Sequence, residues 1–365
     1  MKTYFITNLP SPYRVDFFNE LGKLMELTVV YERASASDRN SRWVGESAQT
    51  YNEIFAKLKP IGTDMSIGID IVRIIKSGDF DNLIISGYAS PSVMIAILYC
   101  KIKHIPYYIE SDGGFCKNEN KLKRFFKKFL LKKAKGHFTT CDEYKKYLTK
   151  IGIKEKCIYK YPFTSVKSGD IIEKPLTFQQ KKVIRKNLSI PEERIILTVG
   201  QFIKRKGFDI LISAASRIPK NVGIYFVGGT PTEEYIALKN EYCLNNIHFV
   251  GFKTKEELAD YYKAADLFVL PTREDIWGLV INEAMAYGLP IITTNKCIAG
   301  LELVKNGANG YIVESENSYE LADSINKIIC DEIMITQMSK VSLDVIKEYT
   351  IEEMAKYHFE ISEKI

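Results

Sequence analysis

Apolar positions in this chain fall into short continuous runs, separated by longer stretches in which they recur every three or four residues. Runs of the first kind are strands buried on both faces, and the longer stretches are helices that cover them, so parallel sheets with crossover helices are predicted. The series occurs twice. Thr3 to Thr7, Leu27 to Tyr31, Asn82 to Ser86, Tyr107 to Ile109, His137 to Thr140 and Cys157 to Tyr161 form the first set. Arg194 to Val199, Gly223 to Val227, Ile247 to Val250, Leu267 to Leu270, Pro290 to Thr294 and Tyr311 to Val313 form the second. Between them, Lys167-Ser168-Gly169-Asp170 breaks the apolar pattern and marks a boundary within Val166 to Pro175. The chain therefore reads as two doubly wound α/β domains, residues 1–170 and 171–345, and an amphipathic helix at 346–365 expected to cross back to the first domain.

Each domain should place its ligands at the carboxyl ends of its strands, where helix N-termini also point. Ser11 followed by Pro12 starts one such helix, with Phe17, Phe18, Leu21, Leu24 and Met25 as its buried stripe. A chain of 365 residues is longer than one core usually grows, which agrees with two domains. With 46% hydrophobic and 26% charged residues, no long tail is too polar to fold. The apolar stretch at the N-terminus ends at Asn8 and reads as a first strand, and no run approaches the roughly 20 residues that span a bilayer. Seven cysteines are scattered without a Cys-x-x-Cys pair, which argues against a zinc cage or a disulfide framework and suits a reducing cytoplasm.

The chemistry concentrates in the second half. After the strand ending at Leu270 comes an acidic loop, Glu274-Asp275-Ile276-Trp277, and then a helix starting near Gly278 that carries Leu279, Val280 and Glu283 and stops at Gly288-Leu289-Pro290. Unpaired amides at such a helix start favour a diphosphate, and Gly278 lets the backbone approach it closely. Asp275 and Glu283 would then hydrogen-bond hydroxyls on opposite sides of the phosphates, a sugar on one side and a ribose on the other. Upstream, Gly200-Gln201-Phe202-Ile203-Lys204-Arg205-Lys206-Gly207 joins another strand end to a helix through a cluster of cations, which would stabilise charge building on a leaving nucleotide. Val227-Gly228-Gly229 and Val250-Gly251-Phe252 are two further glycine turns after strands, suited to close backbone contact.

This ordered set resembles the donor region of retaining family 4 glycosyltransferases, whose E-x7-E segment corresponds to Asp275 and Glu283, and the likeness continues through Gly300 to Val304 and Asn306 to Tyr311. The first acid is Asp in place of Glu, so either Asp275 or Glu274 serves. Gln201 stands where the family carries Arg, and Arg205 is the candidate replacement. The resemblance implies a GT-B fold, two Rossmann-like domains facing a deep cleft, and transfer with retention from a nucleoside diphosphate sugar, UDP expected before GDP. Donor contacts then fall on Gly200, Gln201, Arg205, Lys206, Gly228, Val250, Gly251, Phe252, Glu274, Asp275, Ile276, Trp277, Gly278, Leu279, Val280 and Glu283. Lys206, Asp275, Glu283 and Asp112 are the expected catalytic set. No metal or other cofactor is expected, and Asp79-Phe80-Asp81 is read as a turn and strand entry. Rival readings are a sugar-nucleotide epimerase or phosphorylase of the same fold, and a catalytically silent subunit that binds the nucleotide sugar.

On the acceptor side, Glu110-Ser111-Asp112-Gly113-Gly114 ends a strand in two acids and a glycine pair, with Asp112 near the position of a family histidine that contacts the transferred sugar. Ser11, Tyr13 and Arg14 on the first turn, and Gly87 and Tyr88 after the third strand, are further candidates. The chain carries a formal net charge of +6, and Lys117 to Lys135 holds most of the excess. There Leu122, Phe125, Phe126, Phe129 and Leu130 share one helical face amid lysines, which fits an anionic lipid surface better than nucleic acid. The expected partner is a glycan or lipid-linked acceptor of surface polysaccharide synthesis, met at the inner face of the plasma membrane by a cytoplasmic, peripheral enzyme.

Overall fold

A computed structural model of the protein describes residues 1–35, 47–62, 65–115 and 120–364; Cys116 and Lys117 lie outside them. The chain divides into two compact units, Met1–Ser165 with Thr350–Ile365, and Val166–Tyr349.

The first unit runs β1 (Lys2–Thr7), α1 (Pro12–Gly22), β2 (Glu26–Tyr31), β3 (Asn52–Phe55), β4 (Lys59–Ile61), β5 (Met65–Ile67), α2 (Asp70–Ser77), β6 (Asn82–Ser86), α3 (Pro91–Lys103), β7 (Tyr108–Ser111), α4 (Lys121–Leu131), β8 (Gly136–Thr139), α5 (Asp142–Lys150) and β9 (Ile158–Lys160). Seven parallel strands lie in the order β3-β2-β1-β6-β7-β8-β9. Among the described residues, the antiparallel β4–β5 hairpin stands apart from this sheet. Apolar strands such as β6 are buried along their centres because helices cover both faces, which is why they read as unbroken apolar runs. Helix α1 ends at Gly22, where a Cβ would sit 2.4 Å from the Thr50 carbonyl oxygen. Leu24, placed above in the buried stripe, falls past that end and is 44% exposed. The C-terminal helix, Ile351–Glu363, packs on α1 within this unit.

His137 on β8 is 2% exposed and its Nε2 has no hydrogen-bond partner, so burial holds its pKa down to about 4. A depressed histidine stabilises the fold fully above its unfolded value of about 6.5 and loses that contribution as pH falls toward 4. The unfolding free energy from denaturant titrations should therefore drop between those pH values by up to about 3 kcal/mol, and His137→Phe should flatten that part of the profile.

The second unit runs α6 (Phe178–Asn187), β10 (Arg194–Val199), α7 (Phe208–Ala215), β11 (Val222–Val227), α8 (Glu233–Glu241), β12 (Ile247–Val250), α9 (Lys255–Ala264), β13 (Leu267–Leu270), α10 (Leu279–Ala286), β14 (Ile291–Thr294), α11 (Ile298–Leu303), β15 (Gly310–Val313), α12 (Ser318–Ile329) and α13 (Glu332–Ile346); the C-terminal helix of the first unit is α14. Its parallel sheet has the order β12-β11-β10-β13-β14-β15. Strand order reverses between β10 and β13, the place in an open α/β sheet where ligands bind at the carboxyl edge. The core beneath is built from Ile196, Phe208, Leu211, Ile224, Phe226 and Val269, among others.

Candidate functional site

In the second unit, the loop after β10 turns through Lys204–Lys206 and reaches α7 by way of Gly207, whose φ of 68° is left-handed. A Cβ at Gly207 would lie 2.0 Å from the Pro271 carbonyl oxygen, so the loop after β13 can come this close only because no side chain intervenes. The two loops are then tied together. Arg273 N–H donates to the Arg205 carbonyl at 2.8 Å, and Thr272 Oγ1 donates to the same oxygen at 2.9 Å. Arg273 also holds the Asp209 carboxylate through both terminal nitrogens at 2.7 Å.

The consequence is a junction of opposite charges. Lys206 Nζ donates to Asp275 Oδ2 at 2.6 Å, Arg205 lies 3.5 Å from Asp275 Oδ1, and Arg205 also donates to the Glu274 carbonyl at 2.9 Å. The backbone of Asp275 is pinned on its other side by the Lys296 carbonyl at 2.8 Å and Ile298 N–H at 3.2 Å. Asp275 is thus held at both backbone and side chain, and Lys206 uses one of its three N–H donors on it.

Glycine turns bring the neighbouring loops alongside. Gly200 N–H donates to the Val227 carbonyl at 2.9 Å, and Gly228 N–H to that of Val250 at 3.3 Å. A Cβ at Gly228 would stand 2.5 Å from the Gly200 carbonyl. Gly251 and Gln201 are exposed, and Val250 and Phe252 half-buried. Gly278, with φ of 103°, caps α10, and a Cβ there would lie 2.9 Å from Cys297 Sγ. That thiol is pushed up to about 12 by burial, with Asp275 adding to the effect, so it is a packing group and not a nucleophile. Leu279 and Val280 open α10 and their amides belong to its first turn.

Not every expected donor residue presents its side chain. Trp277 is 3% exposed and donates its indole N–H to Asn282 Oδ1 at 2.8 Å, which secures the helix start from within. Ile276 beside it is half exposed. Glu283 Oε2 accepts from Tyr262 at 3.0 Å, and Tyr262 stacks on Tyr287. Asp209, Arg273 and Tyr262 were missed from sequence because each acts on a partner at least 21 positions away, with no local pattern to signal it.

In the first unit the acceptor-side candidates also lie past strand ends: Ser11, Tyr13 and Arg14 after β1, Gly87 and Tyr88 after β6, Glu110 and Asp112 at the end of β7. Gly87 N–H donates to the Glu110 carbonyl at 2.8 Å, and Tyr144 donates to the Tyr88 hydroxyl at 3.1 Å. Glu110, expected to face a ligand, is fully buried. Its Oε1 accepts from Arg14 at 2.9 Å and from Tyr161 at 3.0 Å, because a carboxylate inside the unit must be paired. Burial alone would raise its pKa, but Arg14 and then His358 hold it well below the usual carboxylate range. Arg14 is likewise buried and reaches Asp112 Oδ1 at 2.5 Å; the Asp112 side chain remains 39% exposed and is the acid open to solvent.

On α4, Leu122, Phe125, Phe126 and Phe129 are 77%, 68%, 46% and 49% exposed. Leu130, grouped with them above, turns inward and is buried with Leu131, which anchors the helix. No helix of the described residues is long and apolar enough to cross a membrane, and among them no cluster of His, Cys, Asp or Glu could hold a metal ion.

Residues 179–342 match the family described as glycosyl transferases group 1. The chain is 28% identical over 298 residues to an uncharacterized glycosyltransferase of Haemophilus influenzae, covering 79% of this chain and 78% of the relative. It is 21% identical over 305 residues to the N,N'-diacetylbacillosaminyl-diphospho-undecaprenol alpha-1,3-N-acetylgalactosaminyltransferase of Campylobacter jejuni, covering 81% and 80%. Among solved structures, sucrose-phosphate synthase of Thermosynechococcus elongatus superposes with a TM-score of 0.77 at 18% identity, covering 100% and 99%. HepE of Anabaena, solved with UDP, gives 0.77 at 15% identity over the whole of both chains.

Proposed function

The chain is a glycosyltransferase of the GT-B fold, with a group 1 glycosyltransferase domain over residues 179–342, and from that premise we propose that it transfers a sugar with retention from a uridine diphosphate donor to a glycan or lipid-linked acceptor of a surface polysaccharide. The observation that carries this reading is the meeting of Lys206, Arg205, Asp275 and the start of α10 at the β10/β13 reversal. Two cations and the first turn of a helix would receive the diphosphate. As the bond to the sugar breaks, negative charge grows on the leaving oxygen, and preset N–H groups there lower the barrier most. Asp275, fixed by Lys206, would accept hydrogen bonds from the sugar; its pinned backbone favours it over Glu274 for that part. Glu283, steadied by Tyr262, would hold the ribose. Arg205 would supply the charge that Gln201 lacks. No metal is assigned a task, since Lys206 and Arg205 would already face the phosphates.

Donor binding has a direct check. UDP at about a hundredfold excess over its Kd should stabilise the protein by roughly 2.7 kcal/mol, and GDP by less; a melting temperature unmoved by either nucleotide would sink the donor assignment.

The acceptor side of the reading rests on Asp112 and on α4. Residues 121–135 contain eight lysines and arginines and no carboxylate. Exposed aromatics amid such charge fit the headgroup region of an anionic bilayer, which would bring a lipid-linked acceptor to the enzyme. Co-sedimentation with phosphatidylglycerol vesicles is expected, with little on phosphatidylcholine alone. Phe125→Ser with Phe129→Ser should abolish it, and equal binding by that variant would remove α4 from the membrane.

A further inference from the structure

Beside the exposed aromatics of α4 lies a pocket that the transfer reaction above leaves unused. It has a volume of about 270 Å³ and is lined by Lys121, Arg124, Phe125 and Lys128 of α4 and by Lys150 and Ile151 at the end of α5. Positions 121, 124 and 128 are three and four apart, which is how one face of α4 brings three cations to the same place. Arg124 is fastened there, its Nη2 donating to the Lys150 carbonyl at 3.3 Å. Lys128 Nζ stands 3.7 Å from where a Cβ would lie on Gly152, just past α5. Buried Ile151 ties the lining to the core, and Phe125 ties it to the exposed aromatic face.

Four cations gather at this pocket without an acid among its lining residues. The acids on and just beyond α5 are engaged with other lysines: Glu143 with Lys146 at 2.6 Å, Asp142 with Lys160 at 3.2 Å and Glu155 with Lys145 at 2.8 Å. Among the described residues, no carboxylate lies within ion-pair distance of Lys121, Arg124, Lys128 or Lys150. Like charges held close together without a counter-ion cost free energy, which a bound anion offsets.

The lining also says what kind of anion fits. Ammonium and guanidinium groups around a small pocket match phosphate oxygens. The volume is below that of pockets that enclose a whole small-molecule ligand, so only a headgroup enters and the remainder lies outside. Phe125, part of the lining, and Leu122, 77% exposed on the same helix, would receive an apolar remainder. A soluble phosphate has none. A phosphodiester lipid brings one negative charge to four cations, whereas a phosphomonoester carries about −1.5 to −2 near neutral pH.

We propose that this pocket is a headgroup site for membrane lipids that bear a phosphomonoester or diphosphate, selective over singly charged phosphodiester lipids. It rests on the reading of α4 as a membrane contact given under the proposed function, and adds to that contact a discrete site with its own preference. Diffuse attraction follows the surface potential of the bilayer. A pocket of fixed cations distinguishes two headgroups presented at the same potential.

The test sediments the full-length protein with phosphatidylcholine vesicles containing either phosphatidic acid or phosphatidylglycerol, the two mixtures adjusted to equal zeta potential. Phosphatidic acid vesicles should bind about tenfold more tightly, the scale of one additional charge-assisted contact. Lys121→Gln with Lys128→Gln and Lys150→Gln should bring the two affinities together. Lys123→Gln with Lys132→Gln and Lys133→Gln removes the same charge outside the pocket, and should weaken both while keeping their ratio. Melting temperatures of both triple variants control for folding.

Equal binding of the two vesicles by the wild type would overturn the pocket and leave α4 on the membrane. Binding to neither would overturn both readings. A preference that survives the pocket variant, or is lost equally in the control variant, would overturn the assignment to these residues. Glycerol 3-phosphate carries the same phosphomonoester without acyl chains; if it bound as tightly as the phosphatidic acid vesicles, the ligand would be a soluble phosphate and the lipid assignment would fall.

Discussion

Alanine at position 206 should lower turnover about 10²–10³-fold, the scale seen when one preset donor to a developing anion is removed. Lys206 is only 13% exposed and its ammonium bonds Asp275 at 2.6 Å, so two losses combine. A leaving diphosphate loses a cation, and Asp275 loses the group that aims it. Because both act mainly as charge develops, kcat should fall more than the donor KM rises. Lys206→Arg should recover part of the rate. Arg205→Ala should cost less, since a side chain 46% exposed is screened by water. The readout is initial-rate kinetics, with melting temperature as the control for folding. A Lys206→Ala enzyme with wild-type kcat would remove this junction from the reaction.

The largest effect on stability is expected at Asp266, just before β13 and at the opposite end of that strand from the donor loop. Its carboxylate is fully buried and accepts from Arg185 at 2.7 Å and Ile195 N–H at 2.9 Å, with Arg194 at 3.3 Å and Lys181 at 3.5 Å. Arg185 itself is fixed by the Ala264 carbonyl at 2.7 and 2.9 Å. Burial pulls the Lys181 ammonium below its ordinary value, against the pull of Asp266. Arg194 also pairs with Glu332 at 2.6 Å, but Asp266 is the buried anion that Arg185 and Lys181 meet, so Asp266→Ala should destabilise the second unit by roughly 3–5 kcal/mol. Urea unfolding followed within residues 166–349 would measure it. Where the variant remains folded, UDP binding should persist, since Asp266 precedes β13 and the donor loop follows it; a change under 1 kcal/mol would show that the network is dispensable.

Much of the architecture is legible in the sequence. Asn82–Ser86, Arg194–Val199, Ile247–Val250 and Leu267–Leu270 were placed to the residue, because strands covered on both faces must be apolar throughout. β3, β4 and β5 were not seen. Their residues are mostly exposed, and they are strands only because backbone groups pair, Thr28 with Asn52 and Lys59 with Ile67, which leaves no periodicity to read. The paired acids at 110 and 112 looked alike in sequence. Packing separates them, since Glu110 meets Arg14, Tyr161 and His358 while Asp112 stays partly open.

Local composition by itself determined the number of units, the buried apolar strands and the loops that gather glycine, cations and acids, because burial periodicity and turn chemistry act between neighbours in the chain. Only the tertiary structure decided which of those groups meet. Lys206 finds Asp275 across 69 positions and His358 finds Glu110 across 248, and no short-range pattern encodes such pairs. The same holds for the aromatic face of α4: sequence shows that it is amphipathic, but whether a neighbour covers it depends on how the rest of the unit packs, and Leu122, Phe125, Phe126 and Phe129 are left outside.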